Sequence, residues 1–170
     1  MTRLLVLPLA AALLLAGCGP QPITGTGTTP PSPTSEVDGV QPAGTPADVV
    51  TGLAAPWSIL RISDTLTLVS ERDTGAIQEI VGDGLQQIGT VPGVSHGGEG
   101  GLLGLAYLDD DGDHWLYAYF TSETDNRIVR MEFGEDHTLG EPEVVLDGLA
   151  KAGNHNGGRI AFGPDGMLYA

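Results

Sequence analysis

The sequence predicts an all-β protein built from repeated four-stranded units, a β-propeller, and three observations support this fold class. The 26 glycines and 12 prolines among 170 residues favour a turn-rich β protein, because both residues are costly inside helices. No helical periodicity follows the N-terminal apolar run. A strand–turn–strand pattern recurs, with the similar points Ile59, Leu105 and Ala161 lying 46 and 56 residues apart. A propeller blade of four strands takes roughly 40–50 residues, so this interval indicates consecutive blades.

The predicted strands follow one another in three groups. A β-sandwich is the competing architecture, but it would not repeat the same unit at this interval. The chain is therefore expected to supply about two blades and the start of a third, as a fragment of a longer protein. An open ring leaves strand edges unpaired, so we expect the 170-residue chain not to fold stably alone. The predicted strand regions are 59–69, 76–80 and 85–88 in the first group; 103–107, 116–119, 128–133 and 143–146 in the second; and 160–169 in the third.

The N-terminus has the pattern of a bacterial lipoprotein precursor. Arg3 precedes an apolar run from Leu4 to Leu15, which is short for a membrane span, and small residues lead to Cys18. We predict a signal peptide over 1–17, lipid modification of Cys18, and an extracytoplasmic, membrane-anchored product. An ordinary signal peptide with an incidental cysteine is the alternative. Residues 18–47 are rich in Thr, Pro and Gly and predict a flexible tether, followed by the propeller domain over 48–170.

Charge and motifs exclude several classes of function. The chain has 22 acidic and 7 basic side chains, a formal charge of −15, so nucleic acid is a poor partner. It contains no P-loop, no serine nucleophile elbow, no cysteine pair and no zinc-spaced histidines. The acidic run from Asp109 to Asp113 lacks the distal carboxylate of a calcium loop, since its twelfth position is Phe120. We interpret it as a solvated hairpin turn.

Two loops carry the candidate chemistry. His155 stands before two glycines, and Glu99 stands alone within a glycine-rich run; each precedes the innermost strand of its repeat. Equivalent positions of consecutive blades line one mouth of a propeller channel, so these residues are expected to share a pocket. A surface histidine and a solvated acid are the alternatives. Trp57 occupies the matching place in the first repeat and is expected to pack, and Arg159 to pair with a carboxylate.

Together these motifs resemble the soluble quinoprotein glucose/sorbosone dehydrogenase family, which includes aldose sugar dehydrogenases. The resemblance implies a six-bladed propeller that binds pyrroloquinoline quinone (PQQ) at the channel mouth, uses calcium and oxidises aldoses to lactones. It implies that His155 is the general base and that Glu99 and Asn154 line the cofactor and substrate pocket. Asn154 falls where the glucose enzymes have aspartate, and Glu99 where they usually have glutamine, so the sugar is left open. The segments that carry the resemblance are 52–53 with 56–58, 71–72, 99–104, 126–130 and 155–169.

The expected function is PQQ-dependent oxidation of a sugar, with an extracytoplasmic electron acceptor as partner. The family's quinone-binding cations and calcium ligands belong to later blades, so the chain alone is expected to be inactive. A propeller lipoprotein that binds carbohydrate or a protein partner without turnover is the alternative, since propellers host many non-enzymes. A purely structural envelope lipoprotein fits the tether but leaves the His155 segment unexplained.

Overall fold

The computed structural model describes residues 42–170, and the compact unit that they form runs from Thr45 to Ala170. The predicted signal peptide, Cys18 and most of the predicted tether lie outside the described residues. Within the described part of the chain no helix is long and apolar enough to cross a membrane.

The described residues form two four-stranded antiparallel sheets and a two-stranded hairpin, in chain order. Strands follow one another within each sheet without crossover, which is the meander of a propeller blade. The all-β propeller prediction is therefore confirmed, and the number of blades in the whole protein stays a prediction. The first sheet contains β1 (Pro56–Arg61), β2 (Thr67–Glu71), β3 (Ala76–Val81) and β4 (Gly84–Thr90); the second contains β5 (Leu102–Asp110), β6 (Asp113–Thr121), β7 (Asn126–Glu132) and β8 (Glu143–Leu149); the hairpin contains β9 (Ala161–Phe162) and β10 (Leu168–Tyr169).

The acidic run forms the tight turn between β5 and β6. Asp110 pairs with Asp113, and the two residues between them, Asp111 and Gly112, have φ of 52° and 97°. Positive φ at both central positions is the type I′ geometry, which matches the twist of the flanking strands and favours Asp-Gly. The hairpin interpretation of this run is confirmed.

Two hydrophobic clusters join consecutive sheets, and β5 contributes to both. Leu102 and Leu105 pack in the cluster shared with the first sheet, whereas Leu103 and Ala106 pack in the cluster that reaches Ile160 before β9. The three-residue spacing within each pair follows from the register shift between Leu102 and Leu105. Each fully buried leucine stabilises the fold by roughly 1.5–3 kcal/mol, so these clusters stabilise the contact between consecutive blades.

The first strands of the repeats lie side by side and approach closely. The Ser58 hydroxyl of β1 accepts a hydrogen bond from the Leu105 amide of β5 at 3.3 Å. A Cβ at Gly104 would lie 2.1 Å from the Gly158 carbonyl oxygen, so only glycine allows the third repeat to approach β5 this closely. The loops before these strands are thereby brought to one end of the fold.

Candidate functional site

The loops before β5 and β9 are hydrogen bonded to each other. The His155 amide donates to the Glu99 carboxylate (Oε2) at 2.7 Å, and the Glu99 amide donates to the Gly153 carbonyl at 3.0 Å. Glu99 and His155 are 56 positions apart in sequence. The structure thus brings Glu99 and His155 together, as their equivalent places in consecutive repeats predicted, and both side chains are exposed.

The backbone of the His155 loop is strained at His155 itself. His155 has φ of 59°, the left-handed region, which costs a non-glycine residue roughly 1–2 kcal/mol. The following glycines, Gly157 and Gly158, also have positive φ. Because a strained conformation persists only when its surroundings determine it, the bond from His155 N to Glu99 contributes to holding the imidazole at the tip of the loop.

Glycines around His155 fall into two groups. At Gly97 and Gly153 an added Cβ would meet nothing within 4 Å, and at Gly157 only the Tyr119 hydroxyl, at 3.8 Å. Added Cβ atoms at Gly98 and Gly158 would collide with the Gly153 carbonyl at 2.0 Å and with Leu103 at 2.6 Å. The first group leaves an open surface beside the imidazole that a flat ligand can approach, and the second lets the loops pack together.

The Arg72 guanidinium lies near Glu99 and is paired with Asp73. Arg72 donates from Nε to Asp73 at 2.7 Å, and this bond is the main reason that the pKa of Arg72 is raised and that of Asp73 lowered. Glu99 adds to the rise in the pKa of Arg72, and His96 adds to the fall in that of Asp73. The mouth therefore carries both signs of charge in exposed or half-exposed positions.

A buried amide network supports the His155 loop from below, and our sequence reasoning did not find it. The Asn156 side-chain oxygen accepts from the Asn126 amide at 3.1 Å and from the Ala152 backbone amide at 3.0 Å; its side-chain nitrogen donates to the Ala152 carbonyl at 2.9 Å. Tyr119 donates its hydroxyl to the Asn156 carbonyl at 2.8 Å, and burial raises the pKa of this tyrosine, which keeps it a donor. The only signal in the sequence was an asparagine next to the candidate base.

The network continues beneath the Glu99 loop. Asn126 is fully buried, and its side-chain oxygen accepts from the Thr121 hydroxyl at 2.6 Å. A Cβ at Gly100 would lie 2.8 Å from that hydroxyl oxygen, so the glycine loop lies directly on Thr121. No buried side-chain nitrogen or oxygen in residues 42–170 lacks a partner. A fully satisfied buried network rigidifies what it supports, here the bases of both loops.

The remaining predicted residues are placed as follows. Asn154 is exposed beside His155. Arg159 was expected to pair with a carboxylate, but its guanidinium lies over the Trp57 ring, 4.8 Å from the centroid. This cation–π contact joins the first and third repeats, so Trp57 packs as expected and Arg159 is its partner. Among the described side chains no group of three or more His, Cys, Asp or Glu could hold a metal ion.

Comparison with known proteins assigns residues 53–170 to the glucose/sorbosone dehydrogenase family. An uncharacterized protein of Synechocystis sp. is 28% identical over 189 residues, which cover 96% of this chain and 45% of that protein. The PQQ-bound aldose sugar dehydrogenase of Streptomyces coelicolor superposes with a TM-score of 0.67 at 50% identity, over 72% of this chain and 39% of that one. The chain thus spans less than half the length of either protein. Since the family match covers more than half of its residues, the chain belongs to the glucose/sorbosone dehydrogenase family.

Proposed function

We propose that the His155 and Glu99 loops form one side of a pocket in which a sugar is oxidised with PQQ as cofactor, an aldose giving its lactone. One observation carries the proposal: an exposed histidine, whose backbone amide is bound by the carboxylate of a neighbouring repeat, lies among glycines with open space around them. Family membership supports an oxidoreductase, and the similar Streptomyces protein, 50% identical, is described as an aldose sugar dehydrogenase in its PQQ-bound form.

In this proposal His155 is the general base. Histidine is the side chain best able to accept a proton near neutral pH, and the exposed ring leaves its nitrogens accessible to a sugar hydroxyl. The imidazole takes the hydroxyl proton as the carbon–hydrogen bond of the same carbon is broken. PQQ, when bound, supplies the acceptor for the hydride. Glu99 and Asn154 would line the cofactor and substrate pocket next to His155.

The residues present fit the flat face of such a cofactor. Gly97, Gly153 and Gly157 leave the space that a planar ring system requires. The carboxylates of the quinone need cationic partners, and the two nearby arginines are already engaged, Arg72 with Asp73 and Arg159 with Trp57. We therefore assign only the open surface beside His155 to this chain, and propose that the cations come from other parts of the whole protein.

We propose separately that the whole protein uses calcium, with the ligands in later blades. The described residues offer no cluster of ligands for it, and the run from Asp109 to Asp113 is a hairpin turn. If the whole protein requires it, chelation should lower activity, and variants in the acidic turn should leave that requirement unchanged.

The test is dye-linked oxidation of a panel of aldoses by the full-length, signal-free protein, with and without added PQQ and calcium. Activity that depends on PQQ supports the proposal and identifies the sugar. His155→Ala should abolish turnover while PQQ still binds, as measured by the absorbance of the bound quinone. Retained turnover would eliminate His155 as the base. Inactivity of the wild type on every sugar, with no quinone bound, would favour a non-catalytic propeller that binds carbohydrate or a protein.

We further propose that the protein is an extracytoplasmic lipoprotein, anchored through lipid on Cys18 and passing electrons to an extracytoplasmic acceptor. The sequence from Leu15 to Cys18 supports this, and more than one acyl chain would give stable anchoring. Mass spectrometry of the mature N-terminal peptide tests it. An unmodified Cys18 in protein purified from bacterial membranes would refute the anchor.

A further inference from the structure

We propose that Asn156 is the positioning residue for His155: its buried side chain closes the 152–156 loop so that the imidazole stands at the pocket, an inference that rests on the proposed function. Asn156 is only 5% exposed, so it has no access to substrate. Its effect on the reaction would be transmitted through the backbone of its neighbour.

The hydrogen bonds of Asn156 fix the loop at both ends. Its side chain bonds both the amide and the carbonyl of Ala152, at 3.0 and 2.9 Å, which joins the start of the loop to its end. Its own carbonyl is held by the Tyr119 hydroxyl of β6 at 2.8 Å. His155 lies inside this closed loop with φ of 59°, so the position of the imidazole depends on the closure.

A second connection ties the closed loop to the second sheet. Asn126, at the start of β7, donates from one side-chain nitrogen to Asn156 at 3.1 Å and to the Ala150 carbonyl at 2.8 Å. Thr121 in turn donates to Asn126 and lies under Gly100, next to Glu99. His155 is thus held from above by Glu99 and from below by the pair of Asn126 and Asn156. The asparagine side chain suits this role because its amide offers one acceptor to the Ala152 N–H and one donor to the Ala152 carbonyl.

The experiment compares Asn156→Ala with Ser70→Ala in the full-length protein. Ser70 is also buried and donates to the Leu103 carbonyl at 2.7 Å, joining the first and second sheets without touching the His155 loop. Asn156→Ala should lower kcat by roughly 10- to 100-fold with a smaller change in KM, because displacing a catalytic group by about 1 Å costs that much. It should also accelerate hydrogen exchange in a peptide covering 151–158. Ser70→Ala should lower thermal stability and leave both quantities near wild type.

Asn156→Asp is the conservative variant. It keeps the acceptor for Asn126 and the Ala152 amide but replaces the donor to the Ala152 carbonyl by an oxygen. We expect its exchange and kcat to lie between those of the wild type and Asn156→Ala. Unchanged exchange in 151–158 for Asn156→Ala would overturn the proposed closure. Faster exchange with unchanged kcat, or an equal loss of kcat in Ser70→Ala, would overturn the positioning role.

The exchange measurement separates this proposal from the proposed function. If the wild type oxidises no sugar but Asn156→Ala loosens residues 151–158, the proposed function fails, whereas the closure of the His155 loop by Asn156 is supported. In a dehydrogenase-active wild type, by contrast, the two readouts decide the role of Asn156 alone.

Discussion

A methyl group at Gly98 should separate the two loops of the site, whereas one at Gly97 should not. Gly98 has φ of 56°, and its Cβ would lie 2.0 Å from the Gly153 carbonyl oxygen. To reach even a tight contact of 3.0 Å, that oxygen must retreat by about 1 Å. Such a movement breaks the bond from the Glu99 amide to Gly153 and pulls on the bond from His155 to Glu99. At Gly97, with nothing within 4 Å, alanine has room.

The magnitude follows from two contributions. Left-handed φ costs alanine roughly 1–2 kcal/mol, and one lost backbone hydrogen bond costs about 0.5–1.5 kcal/mol. We therefore expect Gly98→Ala to lower the free energy of unfolding by about 2–3 kcal/mol, and the displacement of His155 to lower turnover by up to roughly 100-fold. Gly97→Ala should change stability by less than about 1 kcal/mol, since its backbone conformation suits alanine.

Urea unfolding and dye-linked sugar oxidation of the full-length variants measure both effects. The comparison is internal, because the two glycines are adjacent in one loop and the substitution is the same. If Gly98→Ala were as stable and as active as Gly97→Ala, Gly98 would not lie against the Gly153 carbonyl as described. If Gly98→Ala lost stability but kept full turnover, the position of His155 would not depend on that contact.

Two further predictions concern stability. The pKa of Asp125 is lowered, chiefly by the hydrogen bond from Ser122, below the value of 3.8 expected without these partners. Because the pKa of Asp125 is lower in the folded protein, its carboxylate stabilises the fold at pH above 3.8, and this stabilisation is lost as pH falls through the folded pKa. The difference in free energy of unfolding between wild type and Asp125→Asn should therefore be constant near neutral pH and shrink below pH 3.8. Urea unfolding across pH tests this, and a difference that grows on acidification would contradict it. Leu116→Ala, in the fully buried cluster between the sheets, should cost about 2–5 kcal/mol in the same assay, and a cost near zero would mean that this core is not packed as described.

Much of the fold could be predicted because blades repeat and strands alternate. The predicted strand regions match β1 to β8 closely, and the Asp-Gly turn was readable from local chemistry alone. The third repeat was less well predicted. Ile160 is buried, but β9 begins only at Ala161, which is exposed. Periodicity reports which face of a strand is apolar, and it does not report where hydrogen-bonded pairing starts.

The site was predictable only in part, for a physical reason. The approach of Glu99 and His155 followed from equivalent places in two repeats, a relation visible in sequence. Asn126 and Asn156 were missed because a buried asparagine looks like a loop asparagine until its partners are known, and these two are 30 positions apart. Arg159 was assigned a carboxylate partner because charge favours one, yet Trp57 is what the fold places beneath it. Long-range partners of polar groups depend on the packing of the blades.

The mouth of the fold is therefore assembled from one short segment per repeat, and the segments are not equivalent in what they provide. Trp57 at the start of β1 packs against Arg159, Glu99 supplies a carboxylate bonded to the next loop, and His155 supplies an accessible imidazole. The strands beneath approach closely at glycines such as Gly104, so each loop can differ in chemistry without altering the sheets. Glu99 and Asn154 are both exposed at this mouth, next to His155. Exchanges at these exposed positions should accordingly alter the surface of the mouth with little effect on stability, while exchanges at Asn126 and Asn156 that break their hydrogen bonds should loosen the loops above them.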